Sequence, residues 1–331
     1  MSHGGHVIKT LVAATFVLCG ATAACAQSTA VPGVQSRPIR MLMPFPPGSA
    51  GDVIARALVP TASEIGRRTI IIDNRGGAAG SIAAELAAKS TPDGSTLFFG
   101  TTGALAINPA IYARLPYDPV RDFAGVTLAA TSTYTIVVSP ALPVANLKEY
   151  VAYAKARPGE LNLGSSGAGT SVHLSAELFN SVVGIKTIHV PYKGASEALT
   201  DLIAGRVHVM FASTSSAVPF VRGGRVKALA ITGTERDPAM PELPTVLETG
   251  VADYSSVGFF GVLAPVATPK RVIDTLNETF VAALKTAEVK QKFAALGVAV
   301  AWSTPQTFNE RIKTEKAKWT KVARAIGAHA D

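Results

Sequence analysis

Apolar residues recur along this chain in two alternating rhythms. From Arg40 to Phe45 a short, mostly apolar run has the length of a buried strand and stops at Pro46-Pro47-Gly48-Ser49. A helical spacing follows from about Asp52 through Val53, Ile54, Ala57 and Leu58. The succession returns as a strand over 69–72, a helix over 82–89 and a strand over 97–100. A long β-type stretch over 126–139 interrupts it. The alternation then restarts, with helices over 147–156, 172–182 and 195–203 and strands over 161–164, 187–190, 207–211 and 226–231. A second long β-type stretch, 257–263, precedes helical segments at 269–285, 287–296 and 305–326.

Strands alternating with helices predict an α/β fold, a mainly parallel sheet with helices on both faces. The two long β stretches read as crossings between domains. Residues 37–137 plus 259–331 then form domain 1, and residues 138–258 form domain 2. Two α/β domains joined by two crossover strands hinge around a cleft, a usual place for a small-molecule site. No Gly/Ser-rich or Pro-rich linker suggests two consecutive domains instead.

Composition narrows the class. The 331 residues suit two domains at about 150 residues each. An apolar fraction of 48% with only 16% charged residues argues against disorder. The two cysteines, Cys19 and Cys25, lie near the N-terminus, so the body of the chain has no disulfide framework and no cysteine-based zinc site. Lys9 precedes an apolar run from Leu11 to Leu18, and Ala24-Cys25-Ala26 fits a small-residue cleavage site. Residues 1–26 therefore read as a signal peptide, with a mature start near Gln27 and a periplasmic destination. A lipid anchor on Cys25 is the alternative, but Thr22-Ala23-Ala24 makes a poor lipobox.

The formal charge of +8 invites a nucleic-acid reading, yet no Lys/Arg run interleaves with aromatics. The densest basic stretch, Arg311 to Arg324, carries Ile312, Trp319 and Val322 at helical spacing, which gives an amphipathic helix with a solvated basic face.

Three loops fall where strands end and helices begin, the ligand-binding edge of an open parallel sheet. They are Pro47-Gly48-Ser49-Ala50-Gly51, Thr101-Thr102-Gly103-Ala104 and Ser165-Ser166-Gly167-Ala168-Gly169-Thr170-Ser171. Small side chains let a ligand approach the backbone, and the free N–H groups of a first helical turn attract anions. The hydroxyls of Ser49, Thr101, Thr102, Ser166, Thr170 and Ser171 add donors without fixed charge. Such a set suits a carboxylate that must be released again. The plainer reading makes these turns and N-caps, with Asp52 and Ser171 simply capping. Nucleotide-loop, zinc-protease and dinucleotide motifs are missing, and Gly164-Ser165-Ser166-Gly167-Ala168 misses a nucleophile elbow at Ala168. His173 and Glu177 share a helical face, an arrangement open to a base with its orienter or to a packing pair. No catalytic residue, metal site or cofactor is expected.

Pro44-Phe45-Pro46-Pro47-Gly48 followed by Asp52-Val53-Ile54-Ala55-Arg56 resembles the first-loop signature of the Bug family, TctC-like periplasmic receptors of tripartite tricarboxylate transporters. The likeness continues through Asp73-Asn74-Arg75, Gly77-Ala78-Ala79-Gly80, Pro92-Asp93-Gly94, Ala106-Ile107-Asn108-Pro109 and Leu115-Pro116-Tyr117-Asp118-Pro119. Gly169-Thr170-Ser171, His173-Leu174, Glu177-Leu178-Phe179, Val190-Pro191-Tyr192-Lys193-Gly194, Ala198-Leu199-Thr200-Asp201-Leu202 and Pro244-Thr245-Val246 extend it over almost the whole chain.

The resemblance implies a type II periplasmic-binding fold that closes on a small organic carboxylate. The receptor would be a monomer that delivers its ligand to membrane transporter subunits, or serves a signalling kinase instead. Carried over, Gly48, Ser49, Ala50, Gly51 and Asp52 form one jaw, and Ser166, Gly167, Gly169, Thr170 and Ser171 the other. Thr101 and Thr102 line the cleft, with Tyr192 and Lys193 near it. Ser49 and Gly51 stand where the family often has Gly and Thr. Leu105 replaces a common His and Ala212 a common Asp, which implies a less polar distal half for the ligand.

Overall fold

Residues 37–329 are described by the computed structural model; the signal peptide read at 1–26, with both cysteines, lies outside the described residues. Period-two alternation decides which side each strand residue buries. In β1 (Ile39–Met43), Met41 and Met43 enter one core and Leu42 the other. Helix α1 (Ala50–Ile65) begins at Ser49, whose hydroxyl accepts the Asp52 amide, and lays Ile54, Ala55, Leu58 and Ala62 on the first of those cores. Next come β2 (Ile70–Asn74), α2 (Ser81–Ala88) and β3 (Thr96–Thr101). In β3, Leu97 and Phe99 join the first core and Phe98 the second. A π-type turn over Gly103–Ile107 runs into the short α3 (Asn108–Ile111).

Strand β4 (Phe123–Val138) is long enough to serve two groups of strands. Beyond it lie α4 (Leu147–Lys155), β5 (Asn162–Ser165), α5 (Ser171–Val183), β6 (Ile188–Pro191), α6 (Ala195–Ile203), β7 (Val209–Ser213), α7 (Thr214–Arg222) and β8 (Lys227–Ile231). The chain then forms β9 (Val257–Pro265), α8 (Lys270–Lys285), α9 (Ala287–Ala295), β10 (Ala299–Val300) and α10 (Pro305–Ile326).

The main strand order is β2-β1-β3-β9-β4-β7-β5-β6, with β8 and β10 pairing β4 off that path. Residues 123–133 of β4 pair with β9, and residues 134–138 pair with β7 and β8. Parallel pairs occupy the two flanks, β2-β1-β3 and β7-β5-β6. The centre, β3-β9-β4-β7, is antiparallel, unlike the mainly parallel sheet expected. The reason is directional: β4 and β9 run oppositely, so each meets its parallel neighbours head to tail. Apolar periodicity carries no strand direction and cannot foretell this.

Close packing marks where β9 crosses. A methyl group on Gly261 would lie 2.2 Å from the Phe308 ring of α10 and 2.8 Å from the Thr127 carbonyl of β4, so only glycine lets the helix sit this low. In the second strand group, Val209 and Phe211 join one core while Met210 and Ala212 join another. A separate cluster ties the two groups together: Ala106, Ile107 and Ile111 meet Leu174 of α5 and Trp319, Val322 and Ala323 of α10. Helix α7 has no counterpart in the expected elements. Pro219 stands inside it and a Thr-Ser-Ser run opens it, both poor local helix signals that the tertiary setting overrides.

Candidate functional site

Two of the small-residue loops lead directly into helices, and each is held in shape by its own polar clasp. The first follows β1. Gly48 adopts φ +83°, with open space where a side chain would stand. Asp52, only 1% exposed, turns back beneath the loop. Its carboxylate accepts the Gly48 amide at 2.9 Å, Arg56 Nε at 2.8 Å and Asn74 Nδ2 at 2.9 Å. Asn74 Nδ2 also donates to the Phe45 carbonyl, tying the end of β2 to the loop. Burial alone would raise the Asp52 pKa; the bonds from Arg56, Gly48 and Asn74 outweigh it and hold the carboxyl below its ordinary value. Asp52 therefore accepts three hydrogen bonds from inside the protein. The Ala50 and Gly51 amides have no acceptor among the described residues.

The second loop follows β5 and leads into α5. Thr170 caps the helix: its Oγ1 accepts the His173 amide at 3.4 Å and donates to the Gly167 carbonyl at 2.8 Å. Gly167 and Gly169 take φ +132° and +72°, values that disfavour side chains. The Gly167 amide donates to Ser165 Oγ and the Gly169 amide to His173 Nδ1, both at 3.1 Å. Ser166, Ala168, Ser171 and Val172 keep amides with no acceptor among the described residues. Each loop therefore presents unpaired backbone donors at the positive end of a helix of at least thirteen residues.

The remaining candidates lie differently. Thr102, 4% exposed, accepts the Phe259 amide at 2.7 Å and reaches the Phe259 carbonyl at 3.3 Å, so its hydroxyl extends the β3–β9 ladder. Thr101 is also buried and caps the π-type turn through the Ala104 amide. The Tyr192 hydroxyl donates to Asp201 at 2.7 Å, and its pKa is pushed up to about 12, mainly by burial and then by that carboxylate. Leu105 and Ala212 correct an expectation. Neither has exposed surface; Leu105 packs with Phe98 and Leu263, and Ala212 with Val137 and Ala198. Both substitutions fill cores in this conformation, and they carry no information about the distal half of a ligand.

The sequence reading missed the partner of His173. His189, on β6, stacks against it with ring centroids 3.6 Å apart and an interplanar angle of 13°. His189 Nε2 also lies 2.6 Å from Ser165 Oγ. Glu177 is 3.9 Å from His173 Nε2. The pairing of β5 with β6 creates this contact by setting Leu163 opposite His189, a register no local pattern reveals.

Other features lie apart from the strand ends. A groove of about 680 Å³ follows the basic face of α10, between Lys316, Lys321, Arg324 and the Asp118–Arg121 turn. Its charges are partly compensated internally, through Lys316–Asp118 at 2.6 Å and Arg121–Asp122 at 2.7 Å. Arg311 lies over the Phe259 ring at 5.1 Å, its buried Nε without a hydrogen-bond partner among the described residues. Those residues hold no cluster of acidic, histidine or cysteine side chains able to bind a metal ion.

Comparison with known proteins places this geometry. The profile of the tripartite tricarboxylate transporter family receptor matches residues 54–328. The protein BugT of Bordetella pertussis is 33% identical over 309 residues, covering 93% of this chain and 95% of BugT. An R. palustris protein solved with adipate superposes with a TM-score of 0.77 at 35% identity, covering 89% of this chain and 98% of that one. MatC from Rhodopseudomonas palustris, with bound malate, gives 0.73 at 30% identity, over 87% and 99% of the two chains.

Proposed function

Because the chain belongs to the tripartite tricarboxylate transporter receptor family, whose members are periplasmic solute-binding receptors, we propose that it captures a small organic carboxylate between its two jaws. The closing bodies are residues 37–137 plus 259–331 and residues 138–258, hinged where β4 and β9 pass between the strand groups. The receptor works as a monomer, without catalysis, and passes its ligand to membrane subunits of a tripartite transporter.

One observation carries the reading. The N-termini of α1 and α5 both present unpaired backbone amides, and no cationic side chain stands on either loop. Backbone donors and helix dipoles stabilise a carboxylate without the permanent ion pair that would slow its release. Ser49, Ser166, Thr170 and Ser171 supply further hydroxyls, while Asp52 keeps the first jaw in shape. His173 offers no free base, because its Nδ1 is already occupied by the Gly169 amide. The adipate and malate held by structural relatives set the size of ligand to try first.

The test is thermal unfolding against mono-, di- and tricarboxylates, amino acids and sugars. A ligand at about 100 times its dissociation constant adds about 2.7 kcal/mol, a rise of several degrees. Stabilisation by adipate, malate or a close carboxylate is the expected result. Stabilisation by a sugar, with no effect from any carboxylate, would overturn the assignment.

A further inference from the structure

The second jaw is held from below by two histidines that the binding reading leaves unused. His173 Nδ1 accepts the Gly169 amide, which requires that nitrogen to be unprotonated and places the ring proton on Nε2, toward Glu177. His189 lies against it and engages Ser165, whose hydroxyl accepts the Gly167 amide. The two left-handed glycines of the loop are thus fixed by the pair, one directly and one through a serine.

We propose that His173 is a positioning residue for the second jaw, and that a proton on its Nδ1 frees the Gly169 amide, loosens the loop and weakens ligand binding. The inference rests on the reading of residues 165–171 as a jaw. The chemistry follows from the geometry. Protonated Nδ1 becomes a donor facing another donor, so the bond to Gly169 is lost. The charge would arise in a half-buried stack of two imidazoles. Burial, then the neighbouring His189, lowers the His173 pKa to about 4, and burial lowers that of His189.

The groups around the pair do not reverse this. Among the described residues, Glu177, on the same helix, is the carboxylate within 4 Å of the His173 ring, and burial raises its pKa. From α4, Tyr150 lies within electrostatic reach of Glu177, with its own pKa raised by burial. Strand β5 contributes the Ser165 hydroxyl, and β7 contributes no titratable side chain. Helix α10, which packs on α5, commits Glu315 to Trp319 and Lys318.

The sign is that of a depressed pKa. The shaped jaw is favoured above the ordinary histidine value of about 6.5 and loses that advantage as pH falls toward 4. With these two values the loosened state gains up to about 30-fold by pH 5.

Two measurements on the full protein test this. Long-range proton–nitrogen spectra from pH 7.5 to 4 should show His173 as the Nε2–H tautomer, with the Gly169 amide signal moving as that ring titrates. Adipate affinity should fall more steeply with acid in the wild type than in His173→Asn, whose Oδ1 accepts the same amide but cannot take up a proton. Since both proteins share the ligand's own titration, only the difference counts, expected to be nil at pH 7.5 and about twofold at pH 4, where half of His173 in the free jaw carries the proton. A Gly169 amide indifferent to the titration of His173, or parallel pH profiles in the two proteins, would overturn the proposal. Failure of adipate and every other carboxylate to bind at pH 7.5 would strike the carboxylate reading, while the spectra still decide the role of His173.

Discussion

Asp52→Asn separates two roles for a residue that family likeness places in the binding jaw. In the structure its carboxylate is nearly inaccessible and accepts from three internal donors, at 2.8 to 2.9 Å. Asparagine keeps the volume but has one accepting oxygen, and its amide group would face a donor. At least one of the Gly48 amide and the Asn74 side chain is then left unsatisfied in a buried place, costing about 1–3 kcal/mol. The Arg56 contribution is smaller, since that side chain is half exposed at 51% and solvent screens it. The buried loss of about 1–3 kcal/mol sets the scale, a fall of roughly 2–6 °C in Tm at about 2 °C per kcal/mol for a chain of this size. The assay is thermal and urea unfolding of wild type and variant without ligand, with unchanged urea dependence showing that the unfolding unit is the same. Ligand affinity should fall as well, through loss of the Gly48 geometry. A variant that kept its Tm within about 1 °C while losing all affinity would refute the clasp and make Asp52 a direct ligand contact.

The other predictions concern packing, charge and titration. Gly261→Ala should lower stability by about 1–3 kcal/mol in urea unfolding, because the added methyl meets Phe308 and the Thr127 carbonyl at impossible distances. Arg311→Met should leave Tm unchanged or raise it, since methionine covers Phe259 without burying an unpaired guanidinium nitrogen; a clear fall would point to an unrecognised partner. Tyr192→Phe should raise the Asp201 pKa toward the ordinary carboxylate value, because the Tyr192 hydroxyl is the largest influence lowering it, with Arg206 second among the stabilising partners. A carboxyl-detected NMR titration would read that change, and an unmoved Asp201 would count against the hydrogen bond.

Local pattern carried much of the fold. The helix over 195–203 emerges at its expected bounds, and β1 and β5 within a few residues of theirs, because each is a regular apolar period closed by a glycine, proline or cap. What escaped depends on tertiary context. Helix α7 contradicts its own propensities, β10 is two residues long, and the antiparallel centre follows from chain direction. The small-residue loops were legible as strand-to-helix turns, because glycine, serine and threonine are the residues that turn a chain and cap a helix. Leu105 and Ala212 were misread because alignment to a family pattern does not say which face of an element a residue occupies.

The same reasoning explains why the family was readable while the ligand itself was not. On the proposed reading a carboxylate would be met chiefly by peptide N–H groups, and every residue except proline has one. Their availability depends on Asp52 folding beneath one loop and on His173 with Ser165 beneath the other. On that reading, choosing among carboxylates would fall to the width of the cleft and the hydroxyls around it. Replacing a clasp should therefore weaken binding of all carboxylates together, whereas changes at Ser49, Ser166 or Thr170 should alter their ranking.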